Sequence, residues 1–195
     1  MTLSHRIYRA SAWLLPAIAV AVALLMSFVI DPYLAFLGAS WVIFGLLGLS
    51  LDIVWGRGGF LSLGQTAFFG LGGYVGAIAA VNLGPIIGNT LLPTLPIAAV
   101  FGGLCAGVLG SLIFFARMGP LQATILSYTF TLLLWSVTQS LKFTIGDAVV
   151  GGDNGMSGIP GMVIGFGPDA QPLAPNGVFA VCVIVAALAY FATLA

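Results

Sequence analysis

Residues 55–74, WGRGGFLSLGQTAFFGLGGY, decide how this chain is read. The segment lies between long apolar runs, yet it holds seven glycines together with Arg57, Ser62, Gln65 and Thr66. Glycine lowers helix propensity and lets backbones approach closely. Polar groups at membrane depth are costly unless they face protein or a water-filled path. A segment that served only to anchor the chain in lipid would need neither feature. A broken, polar, glycine-rich stretch among membrane helices points to a permeation pathway.

The surrounding composition makes the membrane setting unavoidable. Of 195 residues, 61% are hydrophobic and 5% charged, with mean hydropathy +1.18. Soluble domains carry roughly 25% charged residues, so this chain cannot clothe itself in a water-compatible surface. Five basic and five acidic residues cancel, and nothing in that balance attracts nucleic acid. Glutamate is absent. Cys105 and Cys182 sit in apolar runs and read as small buried hydrophobes. The first apolar run is longer than a signal-peptide core and has no clear small-residue cleavage site.

A spanning helix needs about 20 apolar residues. Six such segments are expected, over residues 11–30, 34–54, 61–81, 92–116, 121–141 and from 177 to the end. Asp31-Pro32 is expected to stop the first, and Asn82-Leu83-Gly84-Pro85 to form a turn after the third. A polar loop over 142–176 precedes the sixth. The fold class is therefore all-α, a polytopic bundle of about six spans with a glycine-rich break before or within the third. Residues 1–195 read as one transmembrane domain. The last span ends in AYFATLA without a polar flank, so the domain is expected to be incomplete at its C-terminus. The spacings Gly72-x-x-x-Gly76 and Gly103-x-x-x-Gly107 permit close helix crossings, with Ala106 and Gly110 extending the second surface.

Basic residues favour cytoplasmic loops. With the N-terminus inside, Arg6, Arg9, Arg57 and Arg117 fall on the cytoplasmic side and Lys142 alone falls outside. Asp31, Asp147, Asp153 and Asp169 then lie outside.

The chain lacks a phosphate-cradling G-x-x-x-x-G-K-[ST] motif and any His/Cys/Asp/Glu spacing suited to a metal. No nucleophile has a base in evident reach, and the lone histidine, His5, lies in the N-terminal tail. An enzyme is not expected. Asp52 is the one acidic candidate near a span; it reads as an interfacial partner for Arg57, with a coupling carboxylate as the alternative. The shortage of such groups favours an external energy source over ion coupling. In the fifth span Thr124, Tyr128, Thr131, Trp135 and Thr138 follow steps of 4, 3, 4 and 3, which places them on one helical face, flanked by Ser127 and Gln139. Such a face can serve interhelical hydrogen bonds, or it can line a path for an uncharged or zwitterionic solute. Residues 151–160, GGDNGMSGIP, read as consecutive turns.

These residues carry a resemblance. Residues 56–74 resemble the glycine-rich signature of ATP-binding cassette permeases of the branched-chain amino acid type, close to G-x-x-G-x-[IL]-S-L-G-[HQ]-A-A-F-F-G-[IL]-G-A-Y. Residues 151–160 resemble the same family's T-G-G-x-[DN]-G-L-[ST]-G-I-P loop. The likeness runs from about 46 to 160. Residues 117–123, RMGPLQA, depart from the family's R-G-x-Y-F-A pattern, and an acidic residue common in the following helix is missing, which bears on the solute.

The resemblance implies the permease subunit of an importer in the bacterial inner membrane, moving branched-chain or other small neutral amino acids. It implies a second homologous permease subunit, cytoplasmic ATP-binding subunits, a periplasmic solute-binding protein and the lipid bilayer as partners. ATP would be used by the partner subunits, with no cofactor in this chain. The family's ATPase-docking segment would follow the sixth span. Urea or a short amide is the alternative cargo, and a passive channel or an assembly scaffold the alternative class. The candidate pathway residues are Gln65, Thr66, Phe69, Tyr128, Thr131 and Trp135. In the family-motif loop the candidates are Gly152, Asp153, Asn154 and Gly155.

Overall fold

The computed structural model describes residues 3–151, 155–165 and 170–194, with side chains from Trp13 onward. Six helices appear in chain order: α1 (Leu3–Met26), α2 (Pro32–Gly58), α3 (Gln65–Ile87), α4 (Leu91–Phe115), α5 (Pro120–Ser140) and α6 (Pro175–Leu194). Two small antiparallel hairpins lie between α5 and α6: β1 (Lys142–Ile145) with β2 (Ala148–Gly151), and β3 (Val163–Ile164) with β4 (Gln171–Pro172). Helices α2–α6 are long and apolar enough to cross a membrane, and α1 carries a shorter apolar stretch, Trp13–Met26. Large apolar side chains such as Phe115, 89% exposed, stand on the helix faces. So much apolar surface suits lipid and not water.

Helix boundaries follow local chemistry. Asp31-Pro32 starts α2 instead of closing α1: the Asp31 carboxylate accepts from the Tyr33 N–H at 2.9 Å, and proline suits a first helical turn. The turn α3 was expected to end on, residues 82–85, is helical, and α3 runs on to Ile87. Pro85 is accommodated inside its last turn, and the stop comes at Gly88, where φ is +70° and the N–H donates to Gly84 O. Helix α4 ends differently. Arg117 takes the left-handed position at φ +50°, with Arg117 N–H on Phe114 O and Met118 N–H on Ile113 O, both 3.1 Å. That hydrogen-bond pair is the one glycine normally supports at a helix C-terminus.

Contacts divide the chain into two compact units. The first, Met1–Leu49 with Leu173–Ala195, packs α1, the first part of α2 and α6 around Ala35, Ala39, Phe179, Cys182 and Val183. Gly38 is needed there, since a Cβ would lie 3.0 Å from the Phe179 ring. Trp13 stacks on Phe191 at 5.6 Å. Asn176 Nδ2 donates to Ser27 O and Ile30 O, both at 2.8 Å, and ties the start of α6 to the chain leaving α1.

The second unit, Ser50–Pro172, holds α3, α4, α5 and the hairpins. Helices α3 and α4 cross closely because Gly72 and Gly76 offer no side chain. A Cβ at Gly72 would be 3.2 Å from Ala98 O, and one at Gly76 would be 3.1 Å from Thr94 Cγ2. The partner surface on α4 differs from the expected one. A Cβ on Gly103 or Gly107 meets nothing within 4 Å, whereas Gly102 faces Phe68 O at 3.4 Å. The close approach is set by helix phase, which spacing alone does not reveal. Leu109, Ile113 and Ala123 form the buried centre, with Phe68 and Phe130 packed against it at a ring separation of 5.6 Å.

Among the described residues of 142–176, where a loop was expected, four short strands occur. Asn82, expected in a turn, sits on α3 and holds the β1–β2 turn. Its Nδ2 donates to Ile78 O and Ile145 O, and its Oδ1 accepts from Asp147 N–H at 3.0 Å. Gly146, at φ +59°, leaves space for this side chain; a Cβ there would collide with Asn82 Oδ1. Asn89 and Thr90, both buried between α3 and α4, hold the β3 end. Asn89 Nδ2 donates to Gly165 O, while Thr90 Oγ1 donates to Gly161 O and accepts from Val163 N–H.

Candidate functional site

Helix α2 stops at Gly58, and Gly59 turns the chain out at φ +72°. Residues 59–64 are non-helical, so the break lies before α3. An unwound stretch at membrane depth must find partners for its peptide groups. Leu63 finds both on α5. Its N–H donates to Ser127 Oγ at 3.0 Å, and its carbonyl accepts from Thr131 Oγ1 at 2.9 Å. These two side chains are one helical turn apart. Ser127 is fully buried and donates in turn to Thr124 O at 2.9 Å. Gly64 lies against this junction: a Cβ there would sit 3.2 Å from the Phe68 ring and 3.4 Å from Ser127 Cβ. Part of the polar stripe on α5 is therefore engaged in holding the break.

Two cavities flank this junction. The first, about 240 Å³, lies between α3 and α5. Thr66, Ala67, Gly70, Leu71 and Tyr74 form one wall, and Thr131, Leu134, Trp135 and Thr138 the other. Its lining offers four hydroxyls and an indole against leucine and alanine walls, with no charged side chain. The second, about 460 Å³, lies between the end of α2, the break, the start of α3 and α4. Ser62 and Gln65 are its uncharged polar groups, Arg57 stands on its lining, and Phe60, Phe68 and Leu109 supply apolar wall.

The candidate pathway residues thus separate. Thr66, Thr131 and Trp135 share the first cavity, and Gln65 belongs to the second. Phe69 and Tyr128, 52% and 49% exposed, line neither of these two cavities. Cavity residues on α5 run 131, 134, 135 and 138, so Tyr128 falls beyond their end. Asp52 is exposed on α2 and also lines neither. In the loop, Gly152, Asp153 and Asn154 lie outside the described residues. Gly155 is described: its φ is +67°, and a Cβ there would be 3.5 Å from the Tyr74 hydroxyl.

Sequence reasoning passed over Tyr74, Ser127 and Asn82 as site-building residues. Tyr74 was legible as the third member of a Thr66, Gly70, Tyr74 ladder at steps of four. No sequence pattern marks Ser127 and Thr131 as partners of a peptide 64 and 68 positions earlier. No group of three or more His, Cys, Asp or Glu able to hold a metal occurs among the described residues.

A family model described as branched-chain amino acid transport system, permease component, matches residues 33–195. The chain belongs to that family. The match takes in α2–α6, the break and both cavities. No curated protein and no solved structure matches the chain. The permease is thus a membrane transport protein, of a transport family and not an enzyme family.

Proposed function

We propose that this permease is the membrane-spanning subunit of an ATP-binding cassette importer that carries branched-chain or other small neutral amino acids across the bacterial inner membrane. One observation carries the reading: a cavity walled by hydroxyls, an indole and aliphatic side chains, without a charge, against a break in the helix path. A neutral amino acid presents an apolar side chain and paired opposite charges. Leu71, Leu134 and Trp135 suit the first; the Thr66 hydroxyl can donate to a carboxylate, while Thr131 and Thr138, whose protons go to Leu63 O and Trp135 O, can accept from an ammonium group.

The break supports movement as well as binding. Leu63 is tied to α5 by two side-chain hydrogen bonds, each contributing about 0.5–1.5 kcal/mol net. Neither cavity is lined by an acidic residue, which supports energy supplied from outside the chain. Gln65, Phe69 and Tyr128 remain candidate path residues, with Thr66, Thr131 and Trp135 in the cavity. The loop residues 152–155 remain candidates for contact with a periplasmic solute-binding protein. A second homologous permease subunit and two cytoplasmic ATP-binding subunits complete the assembly. Four of five basic residues on one side support a cytoplasmic N-terminus. The family match passes through both compact units, which supports one permease domain.

The test is uptake by proteoliposomes holding the complete transporter and its binding protein. ATP-dependent accumulation of leucine, competed by neutral amino acids and not by urea, is the expected result. Competition by urea or acetamide instead would move the cargo to that class. Solute entry that persists without the ATP-binding subunits would make the chain a passive channel.

A further inference from the structure

Three α3 residues one turn apart face the cavity: Thr66, Gly70 and Tyr74. They span about 12 Å along the axis. Gly70 forms a recess, since a Cβ built there meets nothing within 4 Å. Tyr74 is the bulky member, placed on the side toward the loop. Behind it stands Gly155, whose Cβ would come 3.5 Å from the phenol oxygen. The backbone at Gly155 has φ +67°, a conformation that glycine adopts without steric cost. Just beyond, the loop is fastened to the α3–α4 turn through Thr90 and Asn89, which hold Gly161, Val163 and Gly165. The phenol end of Tyr74 therefore lies on the loop side of the cavity, near Gly155.

The cavity, about 240 Å³, is smaller than the roughly 300–1,000 Å³ of drug-sized ligand pockets. In so small a space the aromatic rings on its walls, Tyr74 on α3 and Trp135 on α5, weigh heavily on what fits. We propose that Tyr74 is a specificity-determining residue of this cavity and sets the largest solute it admits. The inference rests on the transport reading above. Tyr74 and Gly70 then act with opposite sign. Removing the ring enlarges the site, and adding a methyl group to the recess shrinks it.

The experiment uses the complete transporter in proteoliposomes with the wild-type binding protein throughout. Two neutral amino acids of different bulk, both accepted by that binding protein in titration, are compared by kcat/KM. The binding protein's own preference cancels when each variant's large-to-small ratio is divided by that of the wild type. Tyr74→Ala is expected to raise this ratio about tenfold, the lower end of what small changes in an apolar pocket achieve. Gly70→Ala is expected to lower it, and Tyr74→Phe, which keeps the ring, to hold it. Should Tyr74→Ala fail to reach the membrane, Tyr74→Leu makes the same test. An unchanged ratio in the Ala or Leu variant, with or without a fall in total uptake, overturns this inference alone. Absence of ATP-dependent uptake by the wild type overturns the transport reading, and this inference with it.

Discussion

The Leu63 N–H donates to the Ser127 hydroxyl at 3.0 Å, joining an unwound strand of the permease to a helix 64 positions later. Ser127 is completely buried, so no solvent replaces it if it is lost. Ser127→Ala leaves the Leu63 N–H without its acceptor, at a cost of about 1–3 kcal/mol. The expected outcome is a lower Tm of the detergent-solubilised protein. Ser127→Thr, which keeps the oxygen but adds a methyl beside Gly64, is expected to be less stable than the wild type too. An unchanged Tm in Ser127→Ala would show that the break is held by other means.

The α3–α4 crossing makes a paired prediction. Gly76→Leu forces a side chain against Thr94 and Ala98, which already lie 3.1 and 3.2 Å from a bare Cβ. Overpacking of this kind costs about 1–3 kcal/mol. Gly107→Leu meets open space and removes a mid-helix glycine, so it is expected to keep stability or raise it by up to about 1 kcal/mol. Thermal unfolding of both variants in one detergent decides the point; equal losses would contradict the observed helix phase.

Asn82 and Gly146 form one device, because the Asn82 carboxamide occupies the space a side chain at 146 would need. Asn82→Ala and Gly146→Ala are each expected to loosen the β1–β2 turn and speed hydrogen exchange at the Asp147 amide. The double variant is expected to be little worse than either single one, the non-additivity shown by residues in direct contact. Simple additivity would mean the two act separately.

Trp135 and Tyr128 lie on the same stripe of α5, but Trp135 alone of the two lines the α3–α5 cavity. In the complete transporter, Trp135→Ala is expected to cut kcat/KM for a neutral amino acid about tenfold, in line with loss of apolar pocket surface. Tyr128→Ala is expected to stay much nearer the wild type, with both proteins present in the membrane at normal amounts. A larger loss for Tyr128→Ala would move the path to the outer face of the helix.

Much of this was legible before any coordinates. Hydropathy placed α2, α4, α5 and α6 to within about four residues at each end, because lipid demands a fixed length of apolar, internally hydrogen-bonded chain. Helix α1 starts at Leu3 and not 11, with a shorter apolar stretch, and α3 runs to Ile87 and not 81. Glycines and polar groups in residues 55–74 located the break for the same reason. The misplacements have physical causes. Asn82-Leu83-Gly84-Pro85 looks like a turn locally, yet the helix continues because Asn82 is used by the distant hairpin and Gly88 supplies the stop. Lys142 to Gly151 reads as a polar loop, yet two short β-branched runs pair across Gly146-Asp147.

The chain by itself determined that the permease is a helical membrane protein, where its helix path breaks, and which residue types are available there. These follow from the cost of unpaired peptides and charges in lipid, which acts on each segment separately. Tertiary structure alone decided that Ser127 and Thr131 receive the Leu63 peptide, that Gly76 and not Gly107 is in the crossing, and that the Tyr74 hydroxyl lies near Gly155. Those relationships depend on the rotation of one helix against another, and a periodic sequence leaves that rotation open.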